Sequence, residues 1–83
     1  MDLYSMVKLV SATRQAHTAA ETFSSLTNNH GNRLDDIYGN LLDCIYAICH
    51  EETGTLEEST TYKVIHSDDL TDQQAAEILM ALT

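Results

Sequence analysis

The sequence predicts an all-α fold, and three observations support that prediction. Its 83 residues contain no proline and three glycines, so few residues interrupt a helix. Apolar residues recur every three or four positions in three segments, which is the spacing of a helix face. Turn-forming residues separate those segments. We therefore expect one small domain over residues 1–83: a long helical hairpin plus a C-terminal helix, completed by homodimerisation because so short a chain buries little apolar surface.

The first helix is predicted over about residues 2–28. Its apolar residues follow alternating spacings of three and four, the pattern of a seam that packs against another helix. The seam consists of Leu9, Ala12, Ala16, Ala19, Phe23 and Leu26. Near the start of the helix the apolar stripe is widened by Leu3, Met6, Val7 and Val10. A helix of this length would extend about 40 Å, which is long for the chain and suggests a partner beyond its own hairpin.

A second helix is predicted over about residues 33–52, after a breaker at residues 28–32. Asn32 is the expected N-cap, and Asp35 falls in the positive first turn. A broad apolar face predicts the centre of the core here. That face comprises Leu34, Ile37, Tyr38, Leu41, Leu42, Ile45, Ile48 and Cys49. Gly39 in the helix interior indicates either a close helix crossing or a tolerated weakness.

Residues 55–70 are ambiguous. A capping-box pattern from Thr55 to Glu58 favours a short helix, whereas the β-branched and aromatic residues of 59–66 favour an extended segment. We expect a helical turn followed by irregular or extended chain. A last helix is predicted over about residues 72–82, because Thr71 and Gln74 form a second capping box. Its buried stripe would contain Ala75, Ile78, Leu79 and Leu82.

Negative charge is concentrated in the second half of the chain. Residues 1–34 carry two acids and three bases, whereas residues 35–83 carry eleven acids and one base, within a net charge of −9. Such a charge disfavours direct nucleic-acid binding and favours a partner protein with a basic surface. The expected contact residues are acidic residues around the second helix, with one tyrosine as an apolar anchor. They are Asp35, Asp36, Asp43, Tyr46, Glu51, Glu52, Glu57 and Glu58.

No motif for catalysis, a cofactor or a metal is recognisable, so we expect none of the three and no enzyme activity. Cys44 and Cys49 lack the spacing of a zinc-ligand pair and point in different directions on a helix, so buried free thiols are expected. Adjacent Cys49 and His50 also diverge too far to form a nucleophile and base. No apolar run is long enough to cross a membrane and no signal peptide is apparent, which predicts a cytoplasmic protein without membrane contact.

A small acidic helical chain without catalytic residues resembles, in size and charge, the inhibitor, antitoxin-like and immunity proteins of phages and mobile elements. This resemblance implies a stoichiometric inhibitor or regulator that docks an acidic face on a basic partner protein. Two alternatives remain open. One is a small-ligand or nucleotide sensor or sequestering oligomer that uses Lys8, Arg14, Arg33 and the tyrosines. The other is a structural subunit or immunity-type protein.

Overall fold

The computed structural model of the chain describes residues 1–26, 32–53 and 58–81, and the regular secondary structure there is entirely α-helical. The four helices are α1 (Leu3–Leu26), α2 (Asn32–Thr53), α3 (Glu58–Ile65) and α4 (Asp72–Ala81). Helix α1 packs against α2 and α4, and α3 packs against α2 and α4. None of the described helices is long and apolar enough to cross a membrane.

The core lies where α1, α2 and the α3–α4 pair meet. Its fully or nearly buried members come from all four helices: Met6, Val10, Leu42, Ile45, Cys49, Ile65, Ala75, Ala76 and Leu79. On α2 the predicted apolar face is therefore buried along one edge. Its other edge is not, since Ile37 is 48% exposed.

Two helix starts follow from capping residues. At α1 the backbone N–H of Ser5 donates to the Asp2 carboxylate at 2.7 Å. At α4 the Gln74 N–H donates to the Thr71 hydroxyl at 3.1 Å, and the Thr71 N–H donates to the Gln74 side chain at 3.0 Å. The second pair is the capping box that the sequence predicts, and it satisfies two backbone donors that the helix leaves unpaired.

The buried face of α1 agrees with the predicted stripe only near the start of the helix. The buried residues are Met6, Val10, Thr13 and Ala20, of which Met6 and Val10 belong to that stripe. The seam residues Phe23 and Leu26 are exposed instead. Larger side chains fill the space between α1 and its two neighbours, because Met and Val remove more apolar surface from water than alanine does. Thr13 is tolerated there, since its hydroxyl donates to the Leu9 carbonyl at 2.7 Å.

The expectation of irregular or extended chain is wrong for residues 59–65, because α3 continues as a helix to Ile65. It holds for residues 66–70, which are not helical. Thr61 and Ile65, one helical turn apart, are both buried. Packing against α2 and α4 therefore outweighs the strand preference of β-branched residues. Gly39 faces open space, since an added Cβ would meet nothing within 4 Å, so it does not mark a close helix crossing.

Candidate functional site

The predicted contact residues divide into those on one face of α2 and those elsewhere. Asp36 and Asp43 are both exposed and lie seven residues apart, which places them on the same side of the helix two turns apart. Asp35 is exposed but lies about 100° round from Asp36. The side chains of Glu51, Glu52 and Glu58, and the whole of Glu57, lie outside the described residues.

Tyr46 is half-buried and packs against the core cluster, as expected for a residue beside the apolar face. With Asp43, Ala47 and His50 it lines a shallow cavity of about 250 Å³. We call the surface formed by these four residues and the exposed Asp36 the acidic outer face of α2. Neither Asp36 nor Asp43 forms an ion pair with any residue that the structure describes.

The most heavily bonded side chain in the described part of the chain is Arg14, whose role the sequence did not reveal. Its guanidinium donates to the backbone carbonyls of Val64, Ile65, Ser67 and Leu70 at 2.7–3.2 Å. It also forms an ion pair with the Asp72 carboxylate at 2.9 Å. Arg14 thus satisfies carbonyls at the end of α3 and in the turn, and reaches the first residue of α4.

A cluster of four rings lies beside Arg14, which we call the ring cluster: His17, Tyr38, Tyr62 and His66. The centroids of His17 and His66 are 4.7 Å apart, and those of Tyr62 and His66 are 4.2 Å apart. The Tyr38 hydroxyl is hydrogen-bonded to Nε2 of His66. The ring cluster therefore joins α1, α2 and α3 at one point.

Burial shifts the protonation of two members of the ring cluster. It lowers the pKa of His66, and the positive charges of His17 and Arg14 lower it further, against a smaller opposing effect of Glu21 and Asp68. Burial also raises the pKa of Tyr38 to about 12. Both shifts favour the neutral forms, which suit a hydrogen bond between hydroxyl and imidazole.

A second cavity, of about 480 Å³, opens where Arg14, His17 and His66 meet the turn between α3 and α4. Glu21 and Asp68 also line it, so its wall carries acids as well as bases. Because each N–H group of Arg14 already has an acceptor within the chain, an anion would have to compete with those carbonyls for it.

Metal ligation and thiol chemistry gain no support in the described parts of the chain. No group of three or more His, Cys, Asp or Glu residues there could hold a metal ion. Cys44 and Cys49 are both free, as expected. Cys49 is buried but Cys44 is exposed, so the prediction that both thiols are buried is wrong for Cys44.

One sequence signal for the ring cluster exists in retrospect. Arg14, His17 and Glu21 recur at helical spacing on α1, next to the buried stripe, and Tyr62 and His66 are one turn apart in α3 and the turn after it. Polar residues repeating beside a core stripe indicate a second helix contact.

Comparison with protein-family models, curated proteins and solved structures found no match to the chain.

Proposed function

We propose that this protein is a binding module that docks the acidic outer face of α2 on a basic surface of a partner protein. The supporting observation is the exposure of Asp36 and Asp43 on one helix face, without ion pairs to described residues, beside the cavity at Tyr46. Unpaired carboxylates steer a basic partner during encounter, and a half-buried tyrosine supplies apolar contact area. In such a complex the module would act as a stoichiometric inhibitor or regulator.

The net charge of the chain also supports docking on a basic protein surface. A net charge of −9 on 83 residues repels nucleic acid and attracts a protein surface rich in lysine and arginine. Completion of the fold by homodimerisation remains part of this proposal, through a surface other than the acidic outer face.

The test compares two variants that change the charge equally. Asp36→Lys/Asp43→Lys alters the acidic outer face, and Asp69→Lys/Glu77→Lys alters two exposed acids of the α3–α4 turn and of α4. Each tagged protein is used for pull-down from the native host's lysate at low and high salt, with mass spectrometry of the eluate. We expect the wild type and the Asp69/Glu77 variant to retain one dominant partner that high salt releases, and the Asp36/Asp43 variant to lose it.

Equal retention by both variants, with unchanged helical circular dichroism, would overturn the proposed face. Equal loss from both would indicate a general charge effect and would overturn it as well. Affinity measured by calorimetry with the purified partner then provides the quantitative comparison.

The small-ligand alternative is favoured by one observation, the 480 Å³ cavity beside the ring cluster. Its acidic residues and the occupied donors of Arg14 disfavour a nucleotide there. A thermal-shift panel of nucleotides and cyclic nucleotides separates the two functions, since a ligand that binds the folded state raises the melting temperature.

A further inference from the structure

The turn between α3 and α4, residues 66–70, is held against α1 mainly by polar contacts. None of its side chains is fully buried and only Leu70 packs against the core cluster, whereas Ile65 before the turn and Ala75 after it are at most 1% exposed. Its backbone hydrogen bonds are long, since the amides of Ser67 and Leu70 both lie 3.4 Å from their carbonyl acceptors. Segments with few buried side chains open at a lower free energy than the core does. The turn is therefore the part of this junction that we expect to open first.

His66 lies at the centre of the polar contacts that hold the turn. Its neighbours in the chain, Ile65 and Ser67, both offer their carbonyls to the Arg14 guanidinium, at 2.7 and 3.2 Å. Its own ring is hydrogen-bonded through Nε2 to the Tyr38 hydroxyl. His66 thus links the segment that Arg14 binds to helix α2.

A proton on His66 would bring a third positive group into this junction. The ring of His17 packs edge-on against the ring of His66, with the centroids 4.7 Å apart. Arg14 binds the backbone on both sides of His66. From α2 and α3 the same ring is faced by Tyr38 and Tyr62, which are phenols and offer no carboxylate to balance the added charge.

The two carboxylates that oppose this repulsion are exposed to water. They are Glu21 on α1 and Asp68 in the turn. The side chain of Glu21 is 69% exposed, against 32% for His17, so solvent screens its charge more strongly. Burial and the two bases therefore lower the pKa of His66 more than the two acids raise it. In the closed junction His66 binds a proton less readily than it would in an opened turn.

We propose that the ring cluster is a pH switch, in which protonation of His66 releases the α3–α4 turn from α1 while the α1–α2 hairpin stays folded. A group that binds its proton more weakly in the closed form shifts the equilibrium toward the open form as the pH falls. Release would also widen the 480 Å³ cavity, because His66, Ser67 and Asp68 line it from the side of the turn. The switch uses no residue of the acidic outer face of α2, so it is independent of the proposed docking.

The test is amide hydrogen exchange of the full chain, followed by NMR between about pH 7.5 and 5.5, with each rate compared with that of an unstructured peptide at the same pH. The amides of Ser67 and Leu70 report on the turn, and the amide of buried Ile45 reports on α2. We expect protection of the turn amides to fall by up to about tenfold per pH unit below about pH 6.5, because opening takes up one proton. Protection at Ile45 should change much less. His66→Gln should abolish the fall, and His50→Gln, at an exposed position on α2, should retain it.

Two further variants test the charges around His66. Ring-proton NMR should show that the pKa of His66 rises in His17→Gln, which removes a neighbouring base, and falls in Glu21→Gln, which removes a neighbouring acid. A ring cluster with a merely structural role would not give shifts of opposite sign.

Constant protection of the turn amides across the pH range would overturn the proposal. A fall that the Ile45 amide shares equally would indicate unfolding of the whole chain and would overturn it too, as would a fall that His66→Gln retains. Circular dichroism at both pH values shows whether each variant folds. Should His66→Gln not fold, shifts of the same sign in His17→Gln and Glu21→Gln, or no shift in either, would overturn the proposal instead.

Discussion

The hydroxyl of Tyr38 and the Nε2 atom of His66 are hydrogen-bonded across 28 residues of sequence. This bond ties the middle of α2 to the turn that follows α3. Which of the two groups donates depends on the imidazole tautomer. Burial favours the neutral forms of both groups by lowering the pKa of His66 and raising that of Tyr38. We therefore expect the stability of the junction of α1, α2 and α3 to depend on pH.

Acidification should destabilise the protein through His66. The pKa of His66 is below its ordinary value of 6.5 in the folded chain, so below about pH 6.5 the unfolded chain binds this proton first. The free energy of unfolding should fall as pH decreases from there until the folded-state pKa is passed. His66→Gln should remove this part of the pH dependence, measured by urea unfolding between about pH 7.5 and 5.5.

His50→Gln is the matched control, since His50 is exposed on α2 away from the ring cluster. A change of slope in His66→Gln that His50→Gln does not reproduce would assign the pH dependence to His66. Identical slopes for the wild type and His66→Gln would contradict the assignment of the pH dependence to His66.

Arg14→Lys should destabilise the fold by about 2–4 kcal/mol although it retains the positive charge. An ammonium group cannot reproduce the planar arrangement of donors that reaches four carbonyls and Asp72, and carbonyls left unpaired lose their hydrogen bonds. Arg33→Lys makes the same substitution at an exposed position and should change stability by less than about 0.5 kcal/mol. Both variants are measured by chemical denaturation. Equal denaturation midpoints for Arg14→Lys and Arg33→Lys would show that the planar guanidinium of Arg14 is dispensable.

Gly39→Ala should stabilise the protein by about 0.5–1 kcal/mol. The added methyl group meets nothing within 4 Å, and alanine restricts the unfolded chain more than glycine does. The reverse exchange at exposed Ala47 of the same helix, Ala47→Gly, should destabilise by a similar amount. Thermal melting compares the two, and a lower melting temperature for Gly39→Ala would reveal a requirement for glycine that local packing does not explain.

The sequence predicted those structural features that depend on residues close together in the chain. The Thr71–Gln74 capping box was recognisable because its two residues lie three positions apart, and Asp35 lies in the first turn of α2 as predicted. The all-helical fold followed from spacing and from the absence of proline. The placement of Asp43 beside Tyr46 also followed, since three residues on a helix bring side chains together.

Features that depend on distant partners were not predictable. Arg14 meets acceptors 50–58 residues away, so no local pattern distinguishes it from a solvated cation. The buried face of α1 was predicted only in part, because two adjacent apolar stripes follow the same helical spacing, and packing against α2 and α4 decides which residues are buried. The helical state of α3 likewise depends on burial of Thr61 and Ile65 against other helices.

The reach of Arg14 has a consequence during protein synthesis. Its acceptors lie 50–58 residues further along the chain, so α1 is synthesised well before the carbonyls that Arg14 binds. At about 5–20 residues per second, 50 residues take about 3–10 s. Throughout that interval the nascent chain lacks the turn that closes the fold, and its apolar surface is open to chaperones or to a neighbouring nascent copy. Formation of this junction therefore awaits synthesis of the chain through Asp72.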